Sequence, residues 1–264
     1  MLWKAADIGR IRSILPSNRA ICGLQPSTRR IRNQGLQVVR HLIEHNLRRK
    51  SPGAQNPEMQ EFRIEETPGA GEFKVFANPV NSARLLKYVK MLETSDLHSV
   101  SFTGGEPLLQ TDFLKIVSES LALEGYMLYL ETNGSLPGCA SKVDDLFEYC
   151  CCDVKDESSG AASDWSALVE KEFETIQIFK EAKAKTFAKV VVTSETKSEN
   201  IEWYAMELAK MGCPLCIQVV TPFGEVKDKP TIKQLFQFTE SASKYLDKND
   251  ISLSIQAHKV IGIL

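Results

Sequence analysis

HSVSFTGGEPLLQTDFLKIVSESLALEGYMLYLETNG (His98–Gly134) carries the pattern that decides the fold. A β-rich run ends in Gly104 and Gly105. A helix is predicted from Asp112 to about Gly125, with Phe113, Ile116, Val117 and Leu121 as its apolar stripe. YMLYLETNG then reads as a second strand with a polar, turn-forming tip. Strand, helix and strand at this spacing form a βαβ unit, whose strands lie parallel.

The same alternation continues downstream. LFEYCCCDVK is a third strand, and FAKVVVTSE, after a long helical stretch over Trp165–Ala184, is a fourth. CIQVVTPFG follows a helix over Asn200–Met211, and ISLSIQAHK follows a helix over Thr231–Leu246. Near-continuous apolar runs such as VVVT and IQVV suit parallel strands covered on both faces. Upstream, NSARLLKYVKMLE is an amphipathic helix with Leu85, Val89 and Leu92 inward. Before Asn78 the regularity stops. SPGAQNPEMQEFRIEETPGAGEFKVFANP is rich in Pro and Gly and reads as loop, with one short strand near Phe73–Phe76; a further helix is predicted over Gly35–Arg49. The expected organisation is an irregular basic extension over 1–77 and a core domain over 78–264. The core is α/β with about six parallel strands, as a barrel or as a doubly wound, flavodoxin-like sheet. Polar groups collect at the strands' carboxyl ends, where both architectures build their sites.

Composition narrows the function classes. The chain has 264 residues, is 43% hydrophobic and carries a formal net charge of -2, which gives no case for a nucleic-acid partner. Residues 1–50 hold nine Arg and two Lys against one Asp and one Glu, so the acidic excess lies in the remainder. No stretch approaches the roughly 20 apolar residues of a membrane helix. The opening MLWKAADIGRIRSIL lacks an apolar h-region, and Asp7, Pro16 and Pro26 argue against a transit segment. Seven cysteines, mostly within apolar runs, suit a reducing cytoplasm better than a disulfide framework.

Four groups of residues could carry chemistry. Gly104, Gly105, Glu106 and Pro107 allow an open backbone that a ligand can approach, with Glu106 at the start of the next helix; an ordinary β-to-α turn with an acidic cap is the plain alternative. Glu131 and Asn133 share one strand face, with Thr132 on the other, although Asn-Gly is also a common turn. Cys151, Asp153 and Lys155 share a face as well. Asp153 and Lys155 could satisfy each other, or Lys155 could meet a substrate carboxylate. Cys213 and Cys216 have C-x2-C spacing, which suits a zinc or redox pair, but their place at the entry to a strand favours simple burial.

Taken in order, SFTGGEPLLQ (Ser101–Gln110), LETNGSLP (Leu130–Pro137), CDVK (Cys152–Lys155), QVVTP (Gln218–Pro222) and QAHK (Gln256–Lys259) resemble the radical S-adenosylmethionine superfamily, and within it the 7-carboxy-7-deazaguanine synthase family. The resemblance runs over Asn78–Leu264. It implies an incomplete (β/α) barrel of about six strands. It also implies a carbon–nitrogen lyase of queuosine and 7-deazapurine synthesis, acting on 6-carboxy-5,6,7,8-tetrahydropterin with S-adenosylmethionine, a [4Fe–4S] cluster and Mg²⁺. By resemblance, Gly104, Gly105 and Glu106 contact the cofactor's methionine part, Glu131 and Asn133 line the cofactor or substrate wall, and Lys155 meets a carboxylate. Thr103 is the Mg²⁺ contact that carries over; no catalytic residue does. Flavodoxin or ferredoxin would supply electrons, and the resemblance admits a homodimer. The terminal Gln-x-His-Lys implies a complete carboxyl end.

One element of the family pattern is missing. Three cysteines, usually C-x3-C-x2-C after the first strand, bind three irons and leave the fourth for S-adenosylmethionine. Ahead of Gly104 this chain has Cys22 alone, and its four His form no ligand cluster. Three explanations compete: a misread amino-terminal coding sequence, a paralogue that kept a nucleoside-like binding pocket without radical chemistry, and a cluster held by unusual or partner ligands. Loss of the first strand would also expose an edge of its neighbour. EFRIEE or EFKVF could supply a replacement strand.

Overall fold

The computed structural model describes residues 10–12, 61–65, 72–77, 80–95, 97–103, 105–221 and 228–255. They belong to two compact units that divide after Glu131. The helix expected over 35–49, Cys22, Gly104, Pro222 and the terminal Gln-x-His-Lys lie outside the described residues.

The first unit contains β1 (Arg10–Arg12), β2 (Glu61–Glu65), β3 (Phe73–Ala77), α1 (Ser82–Leu92), β4 (Val100–Thr103), α2 (Thr111–Leu123) and most of β5 (Leu128–Thr132). Val100, Ser101 and Phe102 of β4 pair in parallel with Leu128, Tyr129 and Leu130 of β5, as the βαβ reading requires. The exposed edge expected beside β4 is not found. β1 covers it in antiparallel register, with Arg10 opposite Thr103 and Arg12 opposite Ser101. Nor do residues 60–77 provide a replacement first strand. EFRIE and FKVFA pair with each other in a separate antiparallel hairpin. Its period-two pattern buries Phe62 and Ile64, and Phe62, Phe76 and Tyr88 pack as an aromatic cluster.

Helix α1 is capped by Asn81, whose Oδ1 accepts from Arg84 N at 2.9 Å, and it buries Leu85, Val89 and Leu92 together with Tyr88. Helix α2 buries Phe113, Leu114, Val117 and Leu121. Ile116, expected on that stripe, is 44% exposed. Leu114 takes its place, because it is three residues from Val117 and seven from Leu121 on the same helix face.

The second unit contains α3 (Pro137–Ala140), β6 (Tyr149–Val154), α4 (Trp165–Glu181), β7 (Lys185–Val192), α5 (Ser198–Lys210), β8 (Leu215–Val219), α6 (Ile232–Ser243) and β9 (Ile251–Ser254). Strands β6 to β9 pair in sequence order, all parallel. Cys152, Val154, Val190, Val192 and Ile217 form a core with Val169 and Ile176 of α4, Tyr204 and Leu208 of α5, and Phe238 of α6. All three cysteines of the CCC run are buried, as expected of a strand covered on both faces. Cys213 and Cys216 are buried too. Cys213 Sγ lies 3.6 Å from the Thr186 carbonyl, and burial pushes its thiol up to about 12. Six parallel strands alternating with helices make the fold an α/β incomplete (β/α) barrel.

Candidate functional site

In the first unit, β4 delivers Thr103 to its carboxyl end, where the side chain is buried. Thr103 Oγ1 donates to Glu131 Oε2 at 3.2 Å, so the TGGEP and ETNG tips meet in space. Gly105 follows with φ +46° and an exposed backbone, and a Cβ there would meet nothing within 4 Å. Glycine is therefore needed for the left-handed turn, and open space remains beside it. Glu106 is buried. Its Oε1 accepts from Leu108 N at 3.0 Å, capping the 3₁₀ turn Pro107–Gln110 that leads into α2. The acidic-cap reading of Glu106 is thus what this bond shows.

In the second unit the tip of β5 is a tight turn. Asn133 Oδ1 accepts from Ser135 N at 2.9 Å and from Ser135 Oγ at 2.6 Å, while Thr132 Oγ1 accepts from Gly134 N at 3.1 Å. The carboxyl end of β6 gathers charge. Asp153 pairs with two lysines, Lys189 at 2.7 Å and Lys155 at 3.3 Å. The sequence reading missed Lys189. It stands directly opposite Asp153 in the β6–β7 register, so only the strand pairing could have revealed it.

Two further residues escaped the sequence reading. Glu172 of α4 is completely buried and its Oε2 accepts from Lys155 N at 2.9 Å, while its Oε1 has no hydrogen-bond partner. Burial pushes its carboxyl up to about 8, against the opposing pull of the Lys155 amide and ammonium. Asp156 is also buried but fully satisfied, accepting from Ser158 N, Thr196 Oγ1, Asn200 Nδ2 and Tyr204 Oη at 3.0 to 3.3 Å. Neighbouring acids mask both in the sequence, since Asp156 adjoins Glu157 and Glu172 lies between Glu170 and Glu174, so no local pattern singles either out.

Likeness to known proteins decides the family. Over 203 residues the chain is 41% identical to the 7-carboxy-7-deazaguanine synthase of Thermococcus kodakarensis, covering 77% of this chain and 78% of that one. It is 37% identical over 212 residues to the enzyme of the same name from Methanocaldococcus jannaschii, covering 76% and 82%. The chain belongs to the 7-carboxy-7-deazaguanine synthase family. This family is part of the radical S-adenosylmethionine superfamily, and the fold agrees: Streptococcus suis SuiB bound to S-adenosylmethionine matches 72% of this chain and 47% of its own, with a TM-score of 0.50 and 15% identity. No family model matches the chain.

The donor set of this 7-carboxy-7-deazaguanine synthase homologue does not fit a [4Fe–4S] cluster. Its seven cysteines contain no C-x3-C-x2-C spacing. Cys150, Cys151 and Cys152 are consecutive on a strand, so the middle one faces away from its neighbours. Cys152 points its thiol at the Glu172 carbonyl, and burial holds it well above the usual thiol range. Among the described residues no three His, Cys, Asp or Glu come together as metal ligands.

Proposed function

We propose that this chain keeps the S-adenosylmethionine and pterin recognition surface of a 7-carboxy-7-deazaguanine synthase and does not cleave S-adenosylmethionine on its own. The observation that carries the reading is the hydrogen bond from Thr103 to Glu131, which joins the two most specific motifs of the family. The open glycine turn at Gly105 leaves room for the methionine part of S-adenosylmethionine, with Gly104 and Glu106 beside it in the chain. Glu131 is the candidate wall residue of the first unit and Asn133 that of the second, and Thr103 is the residue through which Mg²⁺ would act. Lys155, with a side chain 30% exposed, is the partner for the carboxylate of 6-carboxy-5,6,7,8-tetrahydropterin. The family's carbon–nitrogen lyase chemistry starts at a cluster that this donor set does not support, so no reaction step is assigned to these residues.

Calorimetric titration with S-adenosylmethionine tests the recognition half. Wild-type protein should bind with 1:1 stoichiometry, and Glu131→Gln should bind about tenfold more weakly, the loss of one charge-assisted contact. Absence of binding to well-folded wild-type protein would overturn the reading. In that case a family fold adapted to protein interaction is the second reading.

A further inference from the structure

Glu172 and Trp165 hold the backbone of one residue from both sides. Trp165, in the first turn of α4, donates its indole N–H to the Lys155 carbonyl at 2.7 Å. Glu172, two turns further along, accepts from the Lys155 amide at 2.9 Å. The Lys155 peptide unit lies just beyond β6, where no ladder partner fixes it. Its position therefore depends on these two bonds from one helix. Three residues after Glu172, Thr175 donates to the Gly134 carbonyl at 2.7 Å, so α4 also supports the neighbouring turn.

We propose that Glu172 is a positioning residue that, by holding the Lys155 backbone, aims the Lys155 ammonium at an anionic ligand. The inference rests on the reading of Lys155 as a carboxylate partner and adds how that contact is set and switched. With Glu172 neutral, Asp153 is the carboxylate beside the Lys155 ammonium, at 3.3 Å, and Asp153 is shared with Lys189. An ionised Glu172 would place a second, buried negative charge next to the Lys155 amide and compete for its ammonium. The titratable groups around Glu172 are Cys152 and Asp153 of β6, Lys155 just beyond it, and Tyr204 of α5. Burial holds both Cys152 and Tyr204 above their usual values, so neither adds a negative charge beside Glu172 near neutral pH. The raised value of about 8 for Glu172 places the switch just above neutrality. Oε1, buried and without a hydrogen-bond partner, is the oxygen that would bear the proton.

The test combines 6-carboxypterin, a fluorescent carboxylate probe, with amide hydrogen exchange at Lys155. Wild type, Glu172→Gln and Glu172→Ala are compared at pH 7 and pH 9. Glu172→Ala should weaken 6-carboxypterin at least tenfold and lower the Lys155 protection factor at least tenfold. Glu172→Gln keeps an acceptor without a charge and should stay within threefold of wild type at pH 7. Wild-type affinity should fall at least threefold from pH 7 to pH 9, whereas that of Glu172→Gln should not. Trp165→Phe, which removes the opposite bond, should also lower Lys155 protection. The inference is overturned if Glu172→Gln is as damaging as Glu172→Ala, if Lys155 protection is the same in all three proteins, or if the two pH profiles coincide. Failure of wild type to bind 6-carboxypterin, with the protection pattern intact, would overturn the ligand and its switch while leaving the backbone clamp in place.

Discussion

Gly134 shows what a single position can demand. Its φ is +70°, and a Cβ there would sit 2.5 Å from Cys152 Sγ and 3.0 Å from Glu172 Cα. The flexible thiol could move aside, but the helix backbone could not. Gly134→Ala should therefore cost about 2 kcal/mol or more, the sum of left-handed strain and overpacking, read as a lowered urea midpoint. A change below about 0.5 kcal/mol would refute the close approach. Glu172 predicts a pH effect of definite sign. Its folded-state value of about 8 lies above the ordinary 4.5, so the native protein retains a proton that the unfolded chain releases. This contribution is full below pH 4.5 and is lost as pH rises towards 8, with a slope of up to about 1.4 kcal/mol per pH unit. Glu172→Gln should remove that slope, so urea unfolding from pH 5 to 8.5 should give wild-type and variant stabilities that diverge steadily. Neither residue role was legible in the sequence. Asn-Gly reads as a turn, but the helix pressed against it does not. Glu172 looks like one more polar position on a long helix.

At the scale of elements, Asp156 ties the turn after β6 to α5 and to the turn after β7. It accepts from Ser158, Thr196, Asn200 and Tyr204, and Thr193 joins the cluster through Ser158 Oγ at 2.9 Å. Removing the carboxylate strands several buried donors, so Asp156→Ala should destabilise by about 3 to 5 kcal/mol in urea unfolding. A cost near 1 kcal/mol would mean that water replaces the carboxylate. The regular elements themselves were largely legible. Apolar, β-branched runs and 3.6-residue patterns located β4 to β9 and the five long helices to within a few residues, because the strands are covered on both faces and each helix buries a stripe dictated by its own side chains. The misplacements share a cause: pairing partners and helix rotation are tertiary choices. Arg10–Arg12 has no strand-like sequence and becomes one by covering β4, while EFRIE and FKVFA satisfy each other. Ile116 and Leu114 are equally apolar, and packing alone selects Leu114.

At the scale of the whole molecule, family membership and the cysteine inventory pull in opposite directions. Thr103, Glu106, Glu131, Asn133 and Lys155 stand near strand tips and are hydrogen-bonded, while Cys139, Cys150, Cys151, Cys152, Cys213 and Cys216 are scattered or locked within strands. Among the described residues, no helix is long and apolar enough to cross a membrane. The family motifs were legible because they are short, local and rich in Gly, Pro and charge. The convergence of two of them at Thr103 and Glu131 required the parallel pairing of β4 with β5. Binding without cluster chemistry is tested by anaerobic iron–sulfide reconstitution followed by incubation with S-adenosylmethionine and dithionite. The protein should take up iron well below four per chain and give no [4Fe–4S] spectrum and no 5'-deoxyadenosine, alongside unchanged S-adenosylmethionine binding. A stoichiometric cluster with S-adenosylmethionine cleavage would contradict it.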